Sequence, residues 1–74
     1  MSEIQNPLPE KQKQYVFNKA VKTKGYLELC EKNLMAADDK ISMESPEHFI
    51  IRSVLKDIRS AASSIEVLIS RTKP

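Results

Sequence analysis

The stretch SPEHFIIRSVLKDIRSAASSIEVLIS, residues 45–70, decides the fold. Ser45 is a typical helix-capping residue, because its hydroxyl can accept a hydrogen bond from an unpaired backbone amide. Pro46 suits the first helical position, and Glu47 lies near the positive end of the helix dipole. Beyond them an apolar side chain recurs every three or four residues, which predicts an amphipathic helix over about residues 45–71. The core positions of this helix are Ile51, Leu55, Ile58, Ala62, Ile65 and Ile69.

A first helix is predicted upstream, over about residues 9–41. Pro9 fits its first turn, where the backbone amides have no helical partner. The polar segment DDKISMES, residues 38–45, predicts the turn between the helices, and residues 1–8, which lack an apolar period, predict an extended leader. The core-type positions of the first helix alternate in steps of four and three, as in a coiled-coil seam. They are Val16, Ala20, Thr23, Leu27, Cys30, Leu34, Ala37 and Ile41.

Two helices of similar length with a short connection predict a single all-α domain, an antiparallel two-helix hairpin. A chain of 74 residues buries only about 60% of its unfolded surface, so a monomeric core would be marginal. One cysteine and one histidine exclude an internal disulfide and a closed zinc site. We therefore expect the hairpin to assemble into a homo-oligomeric helical bundle, unless its extra apolar residues are merely scattered on the surface. The predicted oligomer interface is a second apolar row on helix two, formed by Ile50, Val54, Ala61 and Leu68.

The distribution of charge is more informative than the net charge of +2. An antiparallel hairpin brings the lysine-rich first half of helix one beside Arg71 and Lys73 at the end of helix two. The opposite end, at the turn, is acidic. A basic open end predicts an anionic ligand or partner, and a solvated lysine face is the alternative. The lysines concerned are Lys11, Lys13, Lys19, Lys22 and Lys24.

Gly25, the only glycine, lies directly beside these lysines. A glycine inside a helix costs roughly 1 kcal/mol relative to alanine. The missing side chain of Gly25 would permit the close approach of a ligand or of another helix. Tyr26 could stack on a base or pack between subunits. The predicted ligand-binding set is Lys19, Lys22, Lys24, Gly25 and Tyr26, with these alternatives left open.

The sequence gives little support for catalysis, and we predict no catalytic residue, metal or cofactor. Cys30 falls on the predicted seam, where a thiol is buried and inert. His48 lies in the first turn of helix two, and a single glycine excludes a glycine-rich phosphate loop. No apolar run approaches 18 residues, which predicts no membrane span. The absence of a secretory pattern and the unpaired thiol suggest the cytoplasm.

Two segments of the chain resemble the anti-CBASS sponge family, small phage proteins that sequester the cyclic nucleotides of CBASS immunity. NKAVKTKG, residues 18–25, is similar to the family's Asn–basic–Lys–x–Lys–Gly stretch on helix one. VLKDIRSAASSIEVLISRTKP, residues 54–74, is similar to the family's last helix in its order of apolar and small residues. Together the segments cover two-fifths of the chain.

The resemblance implies a hexamer of helical hairpins that binds cyclic dinucleotides, or in some cases cyclic trinucleotides, between protomers without chemistry. Lys22 matches the family's ligand-contacting lysine. The family also places a base-stacking tyrosine ahead of helix one, where this chain has NPLPE, residues 6–10; Tyr15 or Tyr26 could substitute for it. Two other classes stay open: a helical bundle that binds RNA through the lysine face, and an inhibitor or adaptor that docks a partner helix.

Overall fold

A computed structural model describes residues 8–74, which form two antiparallel helices, α1 (Glu10–Asp38) and α2 (Pro46–Thr72). No strand occurs in this range. The predicted all-helical hairpin is therefore confirmed for this part of the chain. Most of the predicted leader, residues 1–7, lies outside the described residues.

The start of α2 follows from the capping chemistry that the sequence predicted. The Oγ of Ser45 accepts a hydrogen bond of 3.2 Å from the backbone amide of His48, and Pro46 occupies the first position. Thr72 ends the helix and is buried, with its hydroxyl donating to the carbonyl of Leu68 at 2.8 Å. This bond satisfies a polar group that would otherwise be costly to bury.

Helix α1 ends at Asp38, three residues earlier than predicted. Lys40 donates from its backbone amide to the carbonyl of Ala37 at 3.0 Å, an i→i+3 bond that tightens the last turn. Ser42 then organises the connection. Its hydroxyl accepts from the Glu44 amide at 3.1 Å, and its carbonyl accepts from the Ser45 hydroxyl at 2.7 Å. Such local side-chain bonds compete with helix continuation.

The two helices contact each other along a stripe on α2 that matches the prediction. Leu55 is fully buried, and the other predicted core positions of α2 are half-buried. The predicted seam of α1 is wrong at three of its eight positions. Thr23, Cys30 and Ala37 are exposed, and the half-buried positions in their place are Lys24, Glu31 and Asp38.

This rotation of α1 has an electrostatic reason, because each of the three charged residues meets a complementary side chain of α2. Lys24 lies 2.6 Å from Glu66. The Nε of Arg59 donates to Glu31 at 2.6 Å. The Nδ1 of His48 lies 2.8 Å from an oxygen of Asp38. We call these three contacts the cross-helix pairs. The small side chains that turn outward instead give up little apolar burial.

The hairpin has little interior of its own. Its extents are 50 × 26 × 12 Å, a single layer of helices. The radius of gyration is 16.7 Å, whereas a compact domain of this length has about 11 Å. Among residues 8–74, the fully buried ones are Ala20, Leu55 and Thr72. Neither described helix combines the length and apolar character needed to cross a membrane.

Candidate ligand-binding face

Four exposed side chains form a continuous stripe along the first half of α1. Tyr15, Lys19, Lys22 and Tyr26 are spaced by four, three and four residues, so the helical period places them on one face. The exposed fractions are 64% for Tyr15 and 60% for Tyr26. We call this set the lysine–tyrosine stripe. It presents two cations bracketed by two aromatic rings.

The two lysines of the stripe are exposed. Within residues 8–74, no acidic side chain lies within ion-pair distance of Lys19 or Lys22. The ammonium of Lys19 lies 5.3 Å from the ring centroid of Tyr15, a cation–π contact. Such a contact contributes about 0.5–1 kcal/mol at an exposed site. It holds one cation beside one ring without neutralising the charge.

Lys24 differs from the other predicted ligand-binding lysines, because it points to α2. Its ammonium lies 2.6 Å from Glu66 and 3.9 Å from Glu28. The hydrogen bond and the charge of Glu66 raise the pKa of Lys24 above its usual value of 10.5. The structure thus separates Lys24 from Lys19 and Lys22 and gives it a role in helix pairing.

Gly25 lies on the exposed surface of α1, three residues after Lys22. A methyl group built on its Cα would meet no atom within 4 Å. The glycine is therefore not required for close contact between the two helices of one chain. Approach by a ligand or by a second chain stays open as its explanation.

The three cross-helix pairs all lie on one side of the flat hairpin, where they border the contact between the helices. Residues that border this contact on its other edge therefore lie together on the reverse side of the hairpin. All six of these residues are exposed. We call them the apolar face: Cys30 and Ala37 from α1, with Ile50, Val54, Ala61 and Leu68 from α2.

The lysine–tyrosine stripe continues this same side of the hairpin towards its open end. Lys24 pairs with Glu66 and Glu31 pairs with Arg59, and this register brings Lys22 to the level of Leu68. The stripe therefore borders the end of the apolar face. A second molecule that covers the apolar face would come close to the stripe.

The turn end has a different chemistry. A shallow cleft there is lined by two acidic residues, two apolar residues, a histidine and an arginine. The side chains of Asp38 and His48 are only 13% and 14% exposed, and they are bonded to each other. No cluster of three or more metal-binding side chains forms within the described part of the chain. The cleft is lined by Asp38, Asp39, Ile41, Met43, His48 and Arg52.

Of the predicted ligand-binding residues, Lys19, Lys22 and Tyr26 share one exposed face of α1, Gly25 lies at its edge, and Lys24 is directed to α2. Tyr15 lies on the same face as Lys19, Lys22 and Tyr26. The signal for Tyr15 was present in the sequence, since its spacing from Lys19 equals the spacing of Lys22 from Tyr26. Comparison with known proteins finds no matching family model, no similar characterised protein and no similar solved structure.

Proposed function

We propose that this chain is a non-enzymatic protein that sequesters cyclic oligonucleotides, the activity of the anti-CBASS sponges that it resembles. The ligand is a cyclic dinucleotide or trinucleotide, held at the lysine–tyrosine stripe beside the open backbone of Gly25. The protein acts as a homo-oligomer, with a hexamer implied by the family. As a phage protein it would work in the host cytoplasm.

The observation that carries the proposal is the pairing of two available cations with two exposed rings. A cyclic dinucleotide presents phosphates and bases in one compact molecule. A lysine ammonium binds a phosphate through charge-assisted hydrogen bonds. A tyrosine ring offers a surface on which any base can stack. The stripe supplies both kinds of contact within four turns of one helix.

The experiment is a calorimetric titration against a panel of cyclic dinucleotides and trinucleotides. Lys22→Ala removes one charge-assisted contact, which contributes about 1.5–3 kcal/mol, so the affinity should fall roughly tenfold or more. Lys32→Ala is the matched control, because Lys32 is an exposed lysine of α1 that lies off the stripe. Equal losses for both variants would reduce the effect to overall charge and contradict the proposed site.

The tyrosines are tested in the same titration. Tyr26→Ala removes a stacking surface and should weaken binding by about 1–3 kcal/mol. Tyr26→Phe keeps the ring and should bind almost as well as the unmodified chain. If both variants bind normally, Tyr26 does not contact the base.

Sequestration also predicts the fate of the ligand. A cyclic nucleotide released from the denatured protein should be chemically unchanged after prolonged incubation, as measured by chromatography and mass spectrometry. A linear nucleotide in the released material would reveal hydrolysis and overturn the non-enzymatic assignment.

RNA binding is the competing function, favoured by the basic side chains that continue from the stripe to the open end. Lys11 is exposed and extends the positive charge beyond Tyr15, and Lys13, which is half-buried, lies at the same end of α1. Each phosphate contact to a single strand lowers the logarithm of the binding constant by about 0.7 per tenfold increase in salt. If the protein binds generic RNA tightly, with a steep salt dependence and no preference for a cyclic nucleotide, RNA binding is the function and cyclic-nucleotide sequestration is not.

A further inference from the structure

The apolar face has a feature that determines how a second copy of the chain can cover it. Val54, Ala61 and Leu68 are seven residues apart in each step, so they form one straight row on α2. Val54 and Leu68 are 40% and 38% exposed. The smallest residue of the row lies at its centre, with a larger apolar residue at equal distance on each side.

We propose that two copies of this hairpin associate through α2 against α2, antiparallel, with the two-fold axis passing at Ala61. In this arrangement Val54 of each copy packs beside Leu68 of the other. The small side chains of Ala61 and, three residues later, Ser64 allow the two helices to approach closely where they cross. The inference rests on the proposed function only for its homo-oligomeric state and does not depend on any ligand.

Charge favours the antiparallel orientation over the parallel one. The open end of the hairpin carries Lys19, Lys22, Arg71 and Lys73. The turn end carries exposed acidic side chains at Asp39, Glu44 and Glu47. An antiparallel pair brings the acidic turn of one copy towards the basic end of the other, whereas a parallel pair would place like charges together. The same orientation brings the partner's turn near the lysine–tyrosine stripe.

The apolar row and the charged ends of the hairpin suit the same occupant. The apolar row lies on α2 alone, and the ends of opposite charge meet only in the antiparallel pair. A second copy of the chain is therefore a sufficient occupant for the apolar face.

The test uses single cysteines in a Cys30→Ser background, oxidised without ligand by copper phenanthroline. A disulfide requires Cα atoms within about 7 Å of each other. Ala61→Cys should form a covalent dimer, because the axis passes at this position. Val54→Cys and Leu68→Cys should each stay monomeric alone, since each lies about 21 Å along the helix from its own symmetry mate. An equimolar mixture of these two chains should cross-link.

The matched control is Val67→Cys, which is exposed, neighbours Leu68 and lies about 100° from it around α2, off the apolar face. It should not cross-link in any combination. Circular dichroism of each variant verifies that the helices persist. Light scattering of the unmodified chain should give twice the monomer mass or a multiple of it.

Each other outcome overturns the inference. Self-cross-linking at all three row positions would show a parallel pair, and no cross-link at any of them would show that α2 does not face α2. A monomeric mass at the concentrations used would exclude self-association altogether. If the chain binds a cyclic nucleotide but does not cross-link, the proposed dimer is wrong and the proposed function stands. If it cross-links but binds no cyclic nucleotide, the dimer stands and the proposed function is wrong.

Discussion

At the scale of single residues, Gly25 is a helical glycine that no contact within the described hairpin explains. Its surroundings are open, so no contact within the chain requires the missing side chain. A helical glycine reduces stability relative to alanine, because it loses more backbone freedom on folding. The proposed ligand site would give the glycine a function, since its bare backbone leaves room for a ligand next to Lys22.

We expect Gly25→Ala to stabilise the free hairpin by up to about 1 kcal/mol in a urea denaturation experiment. The same variant should bind a cyclic dinucleotide more weakly, because the added methyl group occupies the space beside Lys22. A stabilised protein with unchanged affinity would remove Gly25 from the site without affecting the assignment of Lys22.

Cys30 shows how the environment of one residue follows from the rotation of a whole helix. Its thiol was expected in the core and is exposed. In a Leu68→Glu background, which is expected to keep the hairpin monomeric, Cys30→Ser should therefore change the free energy of unfolding by less than about 0.5 kcal/mol, as exposed substitutions usually do. Leu55→Ala, at the fully buried centre of α2, should cost about 2–5 kcal/mol in the same background. A large loss for Cys30→Ser in this monomer would place the thiol in the contact between α1 and α2.

At the scale of the helices, the cross-helix pairs determine how α1 faces α2. Exposed ion pairs contribute only about 0.2–1 kcal/mol each. The Asp38–His48 pair is more shielded from water than the other two, and hydrogen bonds to charged groups contribute about 1.5–3 kcal/mol. This pair also closes the turn end, so it fixes the register of the hairpin at its connection.

A double-mutant cycle measures this contribution. Asp38→Ala and His48→Ala should each destabilise the hairpin by about 1–3 kcal/mol, because each leaves a shielded polar partner unpaired. The double variant should lose less than the sum of the single losses. The cycle for Glu31 and Arg59, which are more exposed, should give a coupling energy below about 1 kcal/mol. Strict additivity at Asp38 and His48 would show that their contact does not contribute to stability.

The Lys24–Glu66 pair predicts a dependence of stability on alkaline pH. The pKa of Lys24 is raised in the folded chain, mainly by the hydrogen bond to Glu66. Its contribution to stability is therefore complete below the ordinary value of 10.5 and is lost as the pH rises through the raised folded pKa. The melting-temperature difference between the unmodified chain and Glu66→Gln should shrink above pH 10.5. Glu28→Gln should show a weaker trend, since Glu28 lies 3.9 Å from Lys24.

The helices also show which parts of the structure the sequence could predict. Helix α2 begins at a capping serine and a proline and carries a regular apolar stripe, so its start and its contact residues followed directly. On α1, each of Ala20, Leu27 and Leu34 is followed by a small residue three positions later and by a charged residue four positions later. Either residue could continue the contact stripe. Apolar periodicity favoured the small residues, but the charged ones have complementary partners on α2. Reading both helices together for opposite charges would have identified that register.

At the scale of the whole molecule, the hairpin is a flat layer whose two sides differ in chemistry. One side carries the cross-helix pairs, and the reverse side carries the apolar face with the lysine–tyrosine stripe at its end. An apolar face of this kind is unusual on a monomer and typical of an interaction surface. Self-association would bury this face and place a ligand site at each end of the pair, beside the partner's turn.

Self-association predicts that stability depends on protein concentration. Because the dimer is folded and the unfolded chain is not associated, raising the concentration shifts the equilibrium to the folded state and raises the melting temperature. Leu68→Glu places a charge on the apolar face and should remove this dependence while the remaining monomer stays helical. Val67→Glu adds the same charge off the apolar face and should leave the concentration dependence intact. If the melting temperatures of Leu68→Glu and Val67→Glu depend equally on concentration, association uses another surface. If the melting temperature of the unmodified chain does not depend on concentration, the hairpin is stable alone.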